Sequence, residues 1–417
     1  MVRRALSYLK SLRRAAKKFK NITLPTHHIP EITAINCQSS NYSDLRYNLL
    51  VPSIEKQHLF GGIDTALQFM ELICSTARDG RIITTDSSYA GSPVHKSKLH
   101  WQVATNSESD KVGMVIVPFG DRANKNLPVR DRDVFIATAW WTAFLAFEII
   151  QWQKKVFGVS NKLVYLIQDY EPGFYPHSSR YLLAKSTYEN SDETIAIFNT
   201  SVLEKNFAAK GYRFHLSTHF EPHLHPQLVN FLGVARPRLK EKKILVYVRF
   251  DVPRNASELA ILGIQQWARS DHRARDWEIL SVGGDHPTIT IDQDIVIKSL
   301  GKLDLEEYAN LLWVSSIGIS LMVSAHSSYP PLEMASFGLH VITNQFENKD
   351  LGDRGEYIHA LASVTPKSIG ESIAKLIDLS DVRNEKGYSD FACSVFLRSK
   401  TLSNAALETE ALVNNSF

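Results

Sequence analysis

The chain has 417 residues, 44% of them hydrophobic and 22% charged, a globular composition with length for two or three domains of about 100–200 residues. No stretch approaches the roughly 18 consecutive apolar residues of a spanning helix, and the N-terminus lacks the apolar region and small-residue cleavage site of a secretory leader. The formal charge of +3 hides an asymmetry: residues 1–20 carry eight cations and no acid, so the remainder carries −5, which excludes a nucleic-acid reader with a basic face on the fold itself.

In chain order, MVRRALSYLKSLRRAAKKFK places Val2, Ala5, Leu6, Leu9, Leu12, Ala16 and Phe19 at helical spacing, with cations on the other faces. Two readings stand for residues 1–22. One is a basic amphipathic helix lying on anionic membrane, which makes the protein peripheral on the inner face of the cell membrane. The other is a solvated leader packed on the body. Cys37, Cys74 and Cys393 are far apart and odd in number, so no disulfide framework is expected and the expected compartment is the reducing cytoplasm. Residues 23–44 are polar and turn-rich, a linker.

Short apolar runs then alternate with helical periods. Strands are predicted over Tyr47–Ile54, Arg81–Thr85, Val112–Pro118, Val134–Ala139, Leu163–Asp169 and Thr194–Asn199. Helices are predicted over Asp64–Arg78, Trp141–Val156 and Val202–Lys210. This makes residues 45–222 a Rossmann-like domain with a parallel sheet covered on both sides. Prolines and charges mark 223–240 as an interdomain linker. The alternation restarts with strands at Ile244–Phe250, Trp277–Val282, Ile295–Leu300, Ile317–Val323 and Val341–Thr343. Helices follow at Ser257–Ala268, Leu305–Trp313, Pro330–Phe337 and Lys367–Leu379. Residues 241–395 are thus a second doubly wound domain.

Candidate chemistry collects where strands give way to helices, the edge at which open α/β sheets bind ligands. Gly61 and Gly62 follow the first strand and open a helix. They are either a backbone approach to an anion or a plain tight turn. Arg249 ends a buried strand in YVRFDVPRN, as a crevice cation or as the ion-pair partner of Asp251. Lys302 stands at an equivalent junction one β/α unit later. A guanidinium fork and a point-charge ammonium at one crevice suit a diphosphate and would stabilise charge growing on it as a leaving group. In SAHSSYPPLEMASFG (324–338), free N–H groups at the start of a short helix would face phosphate oxygens. Tyr329, Pro330, Leu332 and Glu333 frame that helix start. Glu333 either accepts from a sugar hydroxyl or is a solvated first-turn acid. Asp169 and Glu171 in QDYEP, with His326, are the candidates for sugar or acceptor contacts, against a reading as turn chemistry.

Asp131-x-Asp133 and Asp292-x-Asp294 imitate a metal-binding pattern but read as surface acids. His219, His223 and His225 lie in the presumed linker and read as no metal site. Trp140, Trp141 and Trp152 read as core. No Walker loop is present.

Five stretches carry a resemblance to a known family: LLVPSIEKQHLFGGIDTAL, LVYLIQDYEPGFYP, YVRFDVPRNASELAI, SLGKLDLEEYANLL and SSYPPLEMASFGLHVITNQFENKDL, in order over roughly residues 47–350. The chain resembles the retaining rhamnosyltransferases of glycosyltransferase family 4 that build S-layer glycans. The resemblance implies a GT-B architecture, two Rossmann-like domains facing a central cleft, with residues 396–417 crossing back as a helix onto the first domain. It implies dTDP-L-rhamnose as donor, a lipid-linked or oligosaccharide rhamnan as acceptor, retention at the anomeric carbon, and no catalytic metal or other cofactor. Gly61 and Gly62 match the family's glycine loop near the donor phosphates, and Arg249 and Lys302 its phosphate-binding cations. Backbone groups near Leu303 would meet the base, and Glu333 the ribose. The position eight residues before Glu333, usually Glu in the family, is Ala325 here. The implied mechanism is a front-face displacement that needs cations and no enzymic nucleophile. The alternatives are transfer from another nucleotide sugar, a sugar-nucleotide epimerase on the same architecture, and a non-catalytic glycan-binding protein.

Overall fold

The computed structural model describes residues 29–55, 61–75, 77, 79–87, 99–104, 109–122, 125–232, 240–292, 294–384 and 401–414. Met1–Ala34 and Ile35–Phe417 are separate compact units. In the first, only a 3₁₀ turn at Pro30–Ile32 and its flanks are described, so the amphipathic helix expected over 1–22 lies outside the described residues. No helix among the described residues is long and apolar enough to cross a membrane.

The larger unit contains two main sheets. The first comprises β2 (Arg46–Val51), β3 (Gly80–Thr84), β4 (Gln102–Val103), β5 (Met114–Pro118), β7 (Asp133–Ala137), β8 (Leu163–Ile167), β9 (Thr194–Phe198) and β10 (Leu216–His219). Its order is β10-β9-β8-β7-β2-β3-β5-β4, parallel throughout. Runs such as DVFIA, LVYLI and TIAIF are buried at every position, as strands covered on both faces must be. The covering helices are α1 (Gly62–Ile73), α2 (Trp140–Phe157), α3 (Ser179–Ser186) and α4 (Ser201–Ala209). The order reverses between β2 and β7, opening a crevice at their carboxyl ends.

A short connection carries α5 (Pro226–Leu232) to the second sheet: β11 (Glu241–Val248), β12 (Glu278–Gly283), β13 (Ile289–Asp292), β14 (Ile295–Ser299), β15 (Ser315–Ile319), β16 (His340–Asn344) and β17 (Ile358–Leu361). Its order is β13-β14-β12-β11-β15-β16-β17, with only β13 antiparallel. The reversal lies between β11 and β15. Around it stand α6 (Ser257–Ser270), α7 (Leu305–Val314), α8 (Pro330–Ser336) and α9 (Pro366–Asn384). Helix α7 starts in a reciprocal cap: Asp304 accepts from the Glu306 and Glu307 amides at 3.0 and 2.8 Å, and Glu307 accepts from the Asp304 amide at 3.1 Å. Finally α10 (Leu402–Asn414) buries Ala405, Ala406 and Val413 in the first sheet's core beside Tyr47 and Phe69.

Several expectations are corrected. The stretch read as linker 23–44 holds β1 (Asn36–Ser39), which pairs in parallel with β6 (Asn126–Val129) as a separate two-stranded sheet. The stretch read as linker 223–240 holds α5, whose Leu228 is fully buried beside Leu245 and Leu312 of the second sheet's core. The strand expected to reach Val323 ends at Ile319, because Ser320 begins the loop that builds the site. Asp133 is not a surface acid: it is fully buried and pairs with Arg46 at 2.7 Å. Burial pushes its carboxyl up, but the Arg46 charge and hydrogen bonds outweigh that and hold it below its ordinary 3.8. Arg46, Arg81 and Arg130 are all buried around it at the amino end of the first sheet.

Candidate functional site

Arg249 directly follows β11 and Lys302 follows β14, with β12 between them. Strand β12 ends at Gly283 and Gly284 follows it, so neither of these two positions carries a side chain, while the Asp285 carboxylate packs against Gly301 beside Lys302. A Cβ at Gly284 would lie 3.2 Å from the Val248 carbonyl and 3.7 Å from Arg249 Cγ, and one at Gly283 2.8 Å from the Tyr247 ring. The Gly283 amide donates to the Gly301 carbonyl at 3.0 Å, tying the two strand ends together. Partial desolvation and the positive charge of Arg249 hold the Lys302 ammonium below its usual range. Two cations are thus in electrostatic reach on one edge. Arg249 also donates to Asp251 at 2.8 Å and is hydrogen-bonded to Tyr247.

Glu333 stands in the first turn of α8. Burial pushes its carboxyl up to about 7, against a hydrogen bond from Tyr308. Its charge is felt by Tyr247 and Tyr329 as well, so it belongs to the same neighbourhood as Arg249. Leu303, half-buried, packs with Leu305 and Tyr308 against the core under that helix. Pro330 and Pro331 occupy the first positions of α8, where a missing N–H costs nothing, and Leu332 is buried beneath.

The loop from Ser320 to Tyr329 is held by its own side chains. Ser324 Oγ accepts from the His326 amide at 2.9 Å, and His326 Nδ1 accepts from the Ser328 amide at 3.0 Å. The second bond puts the ring proton on Nε2, and burial holds His326 down to about 4, a neutral donor at physiological pH. Ser328 adopts φ 64°, a left-handed conformation rare for serine.

The first sheet contributes its own carboxyl edge. Gly61 has φ 49° and starts α1. Gln168, after β8, donates to the Gly62 carbonyl at 2.7 Å and fills the place a Gly62 side chain would take. Asp64, in the first turn of α1, contributes to the field at Tyr329, the residue before α8. Asp169 is buried. It accepts from the Tyr170 amide at 2.8 Å and from the Ser324 hydroxyl of the opposite lobe, and lies 3.6 Å from Arg254. Glu171 is buried too and accepts from the Trp140 amide at 2.5 Å, at the start of α2. Burial pushes its carboxyl up to about 8.

Arg249 and Lys302 therefore lie on the second sheet's carboxyl edge, with Leu303, Tyr329, Pro330 and Glu333 in the junction and helix start beside it; Leu332 is instead turned into the core, and Gly61 and Gly62 stand where α1 starts on the first lobe. His326 and Asp169 meet at the junction of the lobes, and Glu171 is turned into a helix start. Ala325 packs in the first sheet's core. Sequence reasoning missed Arg254, Lys349, Tyr247 and Tyr308, and it quoted Ser324 and Gln168 in their motifs without giving them a role. Arg254 was findable, since it lies in the same YVRFDVPRN stretch as Arg249. Lys349 has no local signal: it is 1% exposed and donates to the Met322 carbonyl at 2.6 Å, with burial holding it down to about 8. His219, discounted as a metal ligand, is bonded to Glu204 at 2.6 Å.

Residues 46–201 match the profile described as "WsaF, N-terminal domain", and residues 242–374 match "WsaF, C-terminal domain". Over 247 residues the chain is 29% identical to the O-antigen biosynthesis protein RfbC of Myxococcus xanthus, covering 59% of this chain and only 18% of that protein's length. Among solved structures it is similar to the sucrose-phosphate synthase (tll1590) from Thermosynechococcus elongatus, with TM-score 0.56 and 11% identity over 89% of this chain and 99% of that one. It is also similar to WaaG, a glycosyltransferase involved in lipopolysaccharide biosynthesis, with TM-score 0.52 and 12% identity over 88% and 99%. At such identities the structures speak for the fold alone, and that fold is GT-B. Two facing parallel α/β lobes, each with its switch-point crevice, and profile matches across both of them establish the chain as a member of the WsaF family with the glycosyltransferase B fold.

Proposed function

We propose that this chain is a retaining glycosyltransferase that moves L-rhamnose from dTDP-L-rhamnose onto a growing rhamnose-containing glycan without a divalent metal. The observation that carries the reading is the placement of Arg249 and Lys302 at strand ends of one carboxyl edge, with β12 between them, where the charge of Arg249 helps hold the Lys302 ammonium down. The diphosphate sits against these two cations. Glu333 accepts from the nucleoside's sugar hydroxyl, and backbone near Leu303 meets the base. The acceptor hydroxyl attacks the anomeric carbon from the side on which the diphosphate leaves, and a leaving phosphate oxygen takes its proton. The protein's part is to bind the developing negative charge with preorganised cations and to hold both reactants in one crevice.

The test is a thermal-shift panel of dTDP, UDP and GDP, since a ligand that binds only the folded state raises its melting temperature. It is followed by product analysis with dTDP-L-rhamnose and a rhamnose oligosaccharide in EDTA. The expected results are a larger shift with dTDP than with UDP or GDP, and acceptor-dependent elongation with retained anomeric configuration. Absence of any shift sinks the nucleotide-sugar reading. Consumption of the donor at full rate without acceptor points instead to an epimerase.

A further inference from the structure

Asp169 is a first-lobe carboxylate on which two pieces of the second lobe converge. Its Oδ1 accepts from the Ser324 hydroxyl and, at 2.8 Å, from its neighbour's amide at Tyr170. Its Oδ2 lies 3.6 Å from Arg254 Nε, a buried atom with no hydrogen-bond partner among the described residues. The Arg254 guanidinium also lies 4.2 Å from the centroid of the Phe174 ring, on the same first-lobe segment as Asp169. The other titratable groups in the field of Asp169 are His326, Lys349 and Glu171. Two second-lobe pieces meet here. The Arg254 carbonyl accepts from the Val323 amide at 2.7 Å, joining the turn after β11 to the loop after β15. Ser324 then hands the contact on to His326, and His326 to Ser328, next to the start of α8.

We infer that Asp169 is a positioning residue: from the first lobe it fixes the Arg254 side chain, on the turn after β11, and the Ser324–Ser328 loop, and so aims Arg254 at the diphosphate as a cation additional to Arg249 and Lys302 when the lobes are docked. This rests on the nucleotide-sugar reading above. A carboxylate beside an anion site has a second, opposite effect, because its charge repels the diphosphate. The two effects differ in sign, and that makes the inference decidable. Replacing Asp169 by Asn keeps an acceptor oxygen for Ser324 and Tyr170 at unchanged size, while it removes the charge and turns the acceptor that faces Arg254 Nε into an amide donor. Were the carboxylate a docking contact alone, the variant would bind dTDP as well as the wild type does, or more tightly through lost repulsion. With Arg254 released from its aim, binding weakens instead.

The experiment is calorimetric titration of wild type, Asp169→Asn, Arg254→Gln and the double variant with dTDP and dTMP. Asp169→Asn is expected to weaken dTDP about tenfold, the usual scale for a misdirected charged contact, with a smaller loss for dTMP. Arg254→Gln is expected to cost less in the Asp169→Asn background than alone, because coupled residues are not additive. Unchanged or tighter dTDP binding by Asp169→Asn, or additive losses, overturns the inference. If Asp169→Asn does not fold, Asp169→Glu keeps the charge and displaces it by one methylene. Weaker dTDP binding by that variant then supports the positioning role, and wild-type binding overturns it. A wild-type protein that binds no nucleoside diphosphate removes the underlying reading of the site, whereas wild-type binding with an indifferent Asp169 removes this inference alone.

Discussion

Arg249 and Lys302 each have an ordinary structural explanation when taken singly. Arg249 has Asp251 at 2.8 Å, and Lys302 is a partly exposed lysine at a loop. Their joint placement is what argues for a diphosphate, which a guanidinium fork and a point-charge ammonium on one edge can bind together. If both act on the leaving diphosphate, replacing either by Ala lowers kcat by on the order of a hundredfold at saturating donor. Wild-type turnover in both variants would take them out of the mechanism. Glu333 makes a separate, donor-free prediction. Burial raises its folded pKa from 4.5 to about 7. A raised carboxyl contributes stability that is complete below its unfolded value and is lost as pH rises through the folded one. At pH 8 the folded protein carries a penalty of at most about 3 kcal/mol that a neutral side chain avoids. The melting temperature of Glu333→Gln should therefore rise relative to wild type between pH 5 and pH 8. A difference independent of pH would show that the carboxyl is not perturbed.

At the scale of elements, the glycine turn before α1 depends on a contact from another β/α unit. A Cβ at residue 62 would sit 2.1 Å from Gln168 Oε1, and Gln168 is held there by its own bond to the Gly62 carbonyl. Gly62→Ala must displace either the glutamine or the turn. We expect it to weaken dTDP binding by about tenfold, and the additional change Gln168→Ala to recover part of that loss, a non-additivity expected of residues in contact. A Gly62→Ala protein that binds like wild type, or a double variant no better than the single one, would show the turn to be indifferent to its neighbour. The loop after β15 also depends on more than its own element. Its Ser328 is held at φ 64°, and its Ala325 is anchored in the core of the opposite lobe.

Across the molecule, the lobes are joined at several places away from the candidate site. Asn206 donates to Glu347 and Asn348 at 2.6 and 2.8 Å, Lys210 pairs with Glu347 at 2.6 Å, and Arg354 faces Glu221 at 3.6 Å. Helix α10 closes the chain back onto the first sheet, with Ala405 fully buried and Leu407 65% exposed. Ala405→Glu would force an unpaired carboxylate into that core and should cost more than about 3 kcal/mol in urea unfolding. Leu407→Glu should stay within about 0.5 kcal/mol. Equal effects at the two positions would mean that α10 is not docked as described.

The alternation of strands and helices was legible because it is local. Apolar runs such as LVYLI and the helical periods between them follow from neighbours a few residues apart. Given that alternation, Arg249, Lys302 and Glu333 fall at strand ends and a helix start, which a doubly wound sheet brings to its carboxyl edge. The contacts of Asp169 with Ser324 and Arg254, and its electrostatic link to Lys349, have no local signature, because they exist only once two independently patterned sheets are docked. The same holds for Asp133, whose Asp-x-Asp setting imitates a metal motif until three buried arginines surround it. Local periodicity thus determined the layers and the edge at which the chemistry collects. Only the docking of one lobe on the other decided which charges meet there, since long-range electrostatic pairing depends on register and burial rather than on spacing along the chain.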